Sequence, residues 1–294
     1  MNKIDKYIES LNVLPIGKID DDQALVLEYF ADQVDNRIQK HLISELMTKY
    51  TEVSKQLEEN NILLNKYNNQ LEELVQEKVS EITTSQTATI HALVKSAESR
   101  DDDTGAHIER TAMYCRFIAV KLHEANMHEH IVDRDYINDI EKAAPLHDIG
   151  KVAIKDAILL KPGKLTDDEY AMMKSHVIKG YNTLASVAGL YSRNKFLNLG
   201  MEISRYHHEK WDGSGYGEGL SGEDIPLSAR IMTLADVYDA LRSKRVYKEA
   251  FPHSKAVEII RKGRGSHFDP DLVDIFLENH QQFCEIFDNL SKGN

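Results

Sequence analysis

Five residues able to bind a metal, His107, His147, His176, His207 and Asp236, follow one another at intervals of 40, 29, 31 and 29 residues. A helical hairpin takes about that many residues, so successive helices of a bundle can each bring one ligand to a shared point in the core. The centre of the series is His147-Asp148-Ile149-Gly150-Lys151, which follows the segment Ile140–Leu146. Adjacent His and Asp on one helix are about 100° apart, so both can bind one metal or two neighbouring metals. Gly150 lets the chain turn away, and Lys151 places a positive charge beside any anion held there. With Asp148 and His208 the supply reaches seven potential ligands. One tetrahedral metal needs only four, so the set suits two metals bridged by a carboxylate and a hydroxide. Imidazole and carboxylate without thiolate suit iron, manganese or zinc. A lone histidine is more often structural, and the other eight, His41 and His280 among them, are read that way.

Helical spacing of apolar residues recurs almost throughout, which predicts an all-α protein. Residues 1–46 read as a small N-terminal helical region of unknown role, with Leu25, Leu27, Phe30, Val34 and Ile38 on one face. Residues 47–97 contain no Gly and no Pro. Leu57, Leu64 and Leu71 are spaced by seven, as are Asn60, Tyr67 and Leu74, so the stretch reads as a dimerising coiled-coil stalk. After Leu71 the spacing slips through Val75, Val79 and Ile82, which would locally unwind a supercoil. Residues 98–294 then carry the ligand series. Helices are expected from near Asp103-Thr104, over Asp135–Leu146, from a capping box at Thr166–Glu169 through Met172, Met173 and His176, over 195–207, and from Pro226 through Asp236 and Asp239.

The formal charge of −12 makes non-specific DNA binding a poor fit, since that needs basic surface. Cys115 and Cys284 form no CxxC pair and read as thiols of a reducing compartment. Neither a signal peptide nor a membrane-spanning run is evident, so a cytoplasmic protein is expected. The loop Gly213-Ser214-Gly215-Tyr216-Gly217-Glu218-Gly219 can bring backbone N–H groups near phosphate. No strand precedes it and no Gly-Lys-Ser/Thr follows, so it is neither a P-loop nor a dinucleotide fingerprint. Tyr216, if exposed, could stack on a base.

Residues 98–285 resemble an HD-GYP domain, a branch of the HD metal-dependent phosphohydrolases. The likeness runs through Arg100–His107, the HDIGK at 147–151, Ile158–Thr166, Met173–His176, His207–Gly213, Ala229–Leu241 and Arg245–Lys248, in that order. The resemblance implies an HD-type helical bundle holding two or three divalent ions, iron or manganese, and hydrolysing a 3′,5′-cyclic dinucleotide. Cyclic di-GMP would be the usual substrate, with the linear dinucleotide or GMP as product. It implies His107, His147, Asp148, His176, His207, His208 and Asp236 as metal ligands. Asp148 and Lys151 would serve catalysis, and Asp101, Lys151, Tyr216, Arg245 and Lys248 would contact substrate. The stalk resembles the linker that joins such domains to a sensor, which implies signalling partners.

Two positions depart from the family pattern. Gly217 stands where the signature has proline, which frees φ there and predicts a more mobile loop. Asp103 stands where many members carry glutamate to a third metal, and its shorter reach predicts a binuclear site with the third position weak or empty. The expected chemistry is attack of a metal-bridging hydroxide on phosphorus, with Lys151 stabilising charge on the phosphoryl oxygens. The alternatives are a catalytically silent cyclic-dinucleotide-binding or protein-interaction adaptor, or a phosphodiesterase acting on cyclic GMP-AMP.

Overall fold

The computed structural model describes residues 25, 26, 29, 37–98, 106–188, 194–244 and 249–291. Most of the amphipathic face expected over 25–38 therefore lies outside the described residues. Helix α1, Arg37–Glu98, starts ten residues before the expected stalk boundary and runs unbroken across it. Nothing in the backbone separates 46 from 47. The expected seam residues Leu57, Leu64, Tyr67, Leu71 and Leu74 are all exposed in the single chain. By compactness the chain divides into Met1–Thr83 and Thr84–Asn294.

Among the described residues of the second unit, the regular elements are all helices apart from an isolated bridge between Arg264 and Phe268. Its helices are α2 Ala106–Glu124, α3 Arg134–Ala143, α4 Asp156–Leu159, α5 Asp167–Lys174, α6 His176–Ala188 and α7 Lys195–Tyr206. They are followed by α8 Leu227–Arg242, α9 His253–Lys262, α10 Pro270–Glu278 and α11 His280–Ser291. Helix α8 is the central member. Leu227, Ala229, Ile231, Met232, Leu234, Ala235 and Tyr238 bury several sides of it, which is why it shows little apolar stripe. Around it pack Tyr114, Ile118, Ile140, Ile203, Phe276 and Phe283, all fully buried. Each such side chain contributes about 1.5–3 kcal/mol by leaving water. Tyr114 stacks on Phe283 at 5.0 Å, locking α2 to the C-terminal helix.

Smaller features set the positions of the candidate ligands. Val94, Ile108, Leu146 and Leu184 form a second buried cluster, and Ile108 and Leu146 are the chain neighbours of His107 and His147. Pro145 has no N–H to continue α3, so the chain tightens into a 3-10 turn over Ala144–Leu146 before His147. The expected capping box is present: Thr166 N donates to Glu169 Oε2 at 2.7 Å, and Glu169 N donates to Thr166 Oγ1 at 3.3 Å. The helix it opens does not reach His176. It stops at Ser175, whose hydroxyl takes up the Met172 carbonyl, and His176 begins α6.

Candidate metal centre

His107 stands in the first turn of α2, His147 and Asp148 between two 3-10 turns, and His176 at the start of α6. His207 and His208 follow the end of α7, and Asp236 lies in the second half of α8. The turn after Asp148 sits hard against α6, where a Cβ on Gly150 would lie 1.9 Å from the His176 carbonyl oxygen. Only glycine lets the HD segment approach His176 this closely.

These elements bring donor atoms together in two groups, His107/His147/Asp236 and Asp148/His176/His207/His208. Within each, one atom per residue lies within 4.8 Å of the others. Asp148 joins them. Its Oδ2 lies 3.3 Å from His147 Nε2, and its Oδ1 lies 3.2 Å from His176 Nε2 and 3.8 Å from His207 Nε2. On the other side His107 Nε2 is 3.7 Å from Asp236 Oδ1.

The imidazole orientations fit metal ligation. Four histidines spend Nδ1 on a structural partner: His107 on Asp239 at 2.8 Å, and His147, His176 and His207 on the carbonyls of Ala144, Met173 and Ile203 at 2.9 Å. An Nδ1–H committed in this way leaves Nε2 as the lone-pair nitrogen, aimed at the centre. His176 Nε2, His207 Nε2 and Asp148 Oδ1 are buried with no hydrogen-bond partner. Buried polar atoms left unsatisfied together cost several kcal/mol unless something binds them, and a cation is what this donor set accommodates.

Electrostatics agree. Burial alone would raise the Asp148 carboxyl, but Lys151 and His147 hold it well below the usual range. Burial, reinforced by His208, holds His207 well below an ordinary histidine. Burial likewise takes His208 down to about 4. His107 goes the other way: burial would lower it, but the Asp239 bond and the charges of Asp239 and Asp236 together raise it. Lys151 Nζ sits 2.9 Å from Asp148 Oδ2, at the edge of the donor cluster.

Three supporting residues escaped sequence reasoning. Asp239 is fully buried, accepts from His107, and takes Arg110 Nε at 2.6 Å and Nη2 at 2.7 Å. Thr233 Oγ1 bonds the His207 carbonyl at 2.7 Å, tying α8 to the end of α7. Glu209, 1 % exposed, accepts the N–H groups of Glu218 at 2.5 Å and Gly219 at 3.0 Å. The acid one helical turn after Asp236 and the acid directly after the His-His pair were the available signals.

The glycine-rich loop is held rather than left loose. Besides Glu209, the Arg205–Glu218 ion pair and a bond from Tyr216 N to the His208 carbonyl at 3.1 Å secure it. The Tyr216 ring is half-buried and stacks on His208, with centroids 4.5 Å apart and planes 25° apart, so one face is already covered. Gly217 has φ +141°, and a Cβ there would meet Glu209 Oε1 at 2.7 Å. Asp101, Asp103, Arg245 and Lys248 lie outside the described residues.

The family model described as HD domain matches residues 116–272, more than half of the chain. The chain belongs to the HD domain family. His107 lies upstream of the matched part of this HD domain, yet the fold places it beside His147. The HD-domain chain is 49% identical over 226 residues to a Vibrio cholerae serotype O1 protein named "Probable cyclic di-GMP phosphodiesterase", covering 76% of this chain and 51% of the relative. It is 42% identical over 197 residues to the same organism's "3'3'-cGAMP-specific phosphodiesterase 2", covering 67% of this chain and 35% of the relative. These matches support the HD-GYP resemblance, although the chain spans only about half or less of either relative. A crystal structure of a cyclic GMP-AMP specific phosphodiesterase of V. cholerae superposes with TM-score 0.50 at 18% identity, over 69% of this chain and 50% of that one. At that identity the likeness speaks for the HD-type helical fold alone.

Proposed function

We propose that the protein is a metal-dependent phosphodiesterase that hydrolyses a 3′,5′-cyclic dinucleotide, cyclic di-GMP, to the linear dinucleotide. The observation that carries this reading is the Asp148 carboxylate between two sets of inward-facing imidazoles, each set with its own carboxylate-to-imidazole approach. The names of the relatives supply the substrate class. His107, His147 and Asp236 would hold one divalent ion, and His176, His207 and His208 a second, with Asp148 shared. Iron or manganese fits these ligands. When bound, the pair supplies an activated water and neutralises charge on the scissile phosphate.

The chain's own groups do the rest. The Nδ1 bonds hold four of the five imidazoles in one tautomer, and Asp239 and Arg110 fix His107 from behind. Lys151 offsets negative charge growing on the phosphoryl oxygens at the donor cluster's edge. Tyr216, with Tyr170 edge-on at 6.4 Å and Lys174 Nζ 5.0 Å from the Tyr170 ring, forms an aromatic and cationic rim for a base. Asp101, Arg245 and Lys248 complete the substrate contacts in this reading, and Asp103 is too short to hold a third ion firmly.

In this reading residues 47–97 act as a parallel dimer stalk with Asn60 setting register, and 98–294 as the hydrolase. The stalk carries a signal from or to partner proteins. No described helix is long and apolar enough to cross a membrane, and we place the protein in the cytoplasm.

The test is turnover of cyclic di-GMP by protein reconstituted anaerobically with ferrous iron or manganese, with bound metal counted in the same sample. Cleavage at two ions per chain, lost together with the metal in the His147→Ala/Asp148→Ala double variant, is the expected result. Cleavage of cyclic GMP-AMP in preference would move the base specificity, as the second relative suggests. Full loading with binding and no cleavage would favour an adaptor.

A further inference from the structure

Lys174 is the last residue of α5 and stands two residues before His176, so the backbone places it at the edge of the donor cluster. Lys151, Lys161 and Arg205 are each matched by a carboxylate, from Asp148, Glu169 and Glu218. Lys174 forms no ion pair among the described residues. One turn before it on α5 come Tyr170 and Ala171, so that turn of its own helix offers no acid. It faces rings instead: Nζ lies 5.0 Å from the centre of Tyr170 and 5.9 Å from that of Tyr216. An ammonium attracted by ring faces keeps its N–H donors for a ligand.

The rings define what that ligand is. His208 covers one face of the half-buried Tyr216, and Tyr170 meets Tyr216 from the side at 71°. The second face of Tyr216 is left for a flat group, with Lys174 beside it. A phosphate is tetrahedral and gains nothing from a ring face. A purine stacks there and turns one edge to the ammonium. Guanine presents O6 and N7, both acceptors, on that edge. Adenine sets the N6 amino donor beside N7, and an ammonium repels a donor.

We propose that Lys174 selects guanine, its ammonium donating to O6 and N7 of the base stacked on Tyr216. The inference rests on the reading of the ligand as a cyclic dinucleotide and adds which base the site prefers. Only one of the two bases is read in this way. Cyclic di-GMP satisfies the site in either orientation, cyclic GMP-AMP in one, and cyclic di-AMP in neither.

The experiment measures the preference of the full manganese-loaded chain for cyclic di-GMP over cyclic di-AMP. It is read as a ratio of kcat/KM, or as a ratio of Kd where no ligand is cleaved. Lys174→Met keeps the stem and removes the charge, and the preference should fall about tenfold. Lys174→Arg keeps paired donors and should retain it. A general loss of positive charge, or a lysine that binds phosphate, weakens both ligands alike and leaves the ratio in place. Cleavage with a guanine preference that Lys174→Met leaves intact would overturn the proposal and spare the phosphodiesterase reading. Binding without cleavage, with a preference that Lys174→Met abolishes, would do the reverse. A wild-type chain without guanine preference, or one that binds neither ligand, would also overturn the proposal.

Discussion

His107 Nδ1 lies 2.8 Å from Asp239 Oδ2, and the same carboxylate is gripped by the buried Arg110 at 2.6 and 2.7 Å. The nitrogen that His107 turns to the proposed metal site is thus aimed by an acid that itself has no place in the donor cluster. Asp239→Asn keeps the shape but presents a weaker, partly donor-bearing group to both neighbours. Metal affinity should fall about 10–100-fold, as for other residues that orient a ligating histidine. Asp239→Ala should cost about 3–5 kcal/mol of stability as well, because it strands the Arg110 charge. Metal titration and urea denaturation of both variants check this, and wild-type affinity in Asp239→Asn would remove Asp239 from the metal centre.

The glycine-rich loop makes a prediction about its missing proline. Proline holds φ near about −65°, whereas Gly217 adopts +141°. Gly217→Pro should therefore rebuild the loop and break the Glu209 bonds to Glu218 and Gly219. Loss of about 1–3 kcal/mol is expected, with faster hydrogen exchange at those two amides. Retained protection would show that the loop keeps its bonds with either residue.

Stability of the metal-free protein should depend on mildly acidic pH. Burial holds His208 at about 4 in the folded chain, and His207 is also held low. An unfolded histidine titrates near about 6.5. Between these values the unfolded chain binds more protons, so folding stability falls as pH drops through that window. Each unit of depression is worth about 1.4 kcal/mol, so a loss of a few kcal/mol between pH 6.5 and 4 is expected. Urea midpoints measured across that range report it, and a flat profile down to pH 5 would contradict it.

The proposed stalk dimer rests on exposed Leu57, Leu64 and Leu71 at heptad spacing. Leu64→Lys together with Leu71→Lys should convert a dimer to a monomer in sedimentation equilibrium while leaving the hydrolase domain folded. A wild-type monomer at all concentrations would remove the stalk reading.

The capping box at Thr166, the helix from Pro226 and the convergence of the seven candidate ligands were legible because each depends on residue type at short or regular spacing. The helix expected through Met172, Met173 and His176 was read as continuous because its apolar spacing is continuous. It ends at Ser175, whose backbone N–H turns to the Met172 carbonyl, and periodicity does not encode that break. Tyr216 read as an exposed ring, and the fold half-buries it, with one face laid on His208.

The sequence by itself determined the helical class, the histidines and aspartates available for metal, and the order in which helices deliver them, since these follow from local periodicity and spacing. Only the tertiary structure decided which acids stand behind the candidate ligands. Arg110 and Asp239 are separated by 129 residues, and the Asp148 carboxylate meets imidazoles from three separate segments. Such contacts arise from how α2, α6, α7 and α8 pack around one apolar core, and packing is a property of faces brought together from distant parts of the chain.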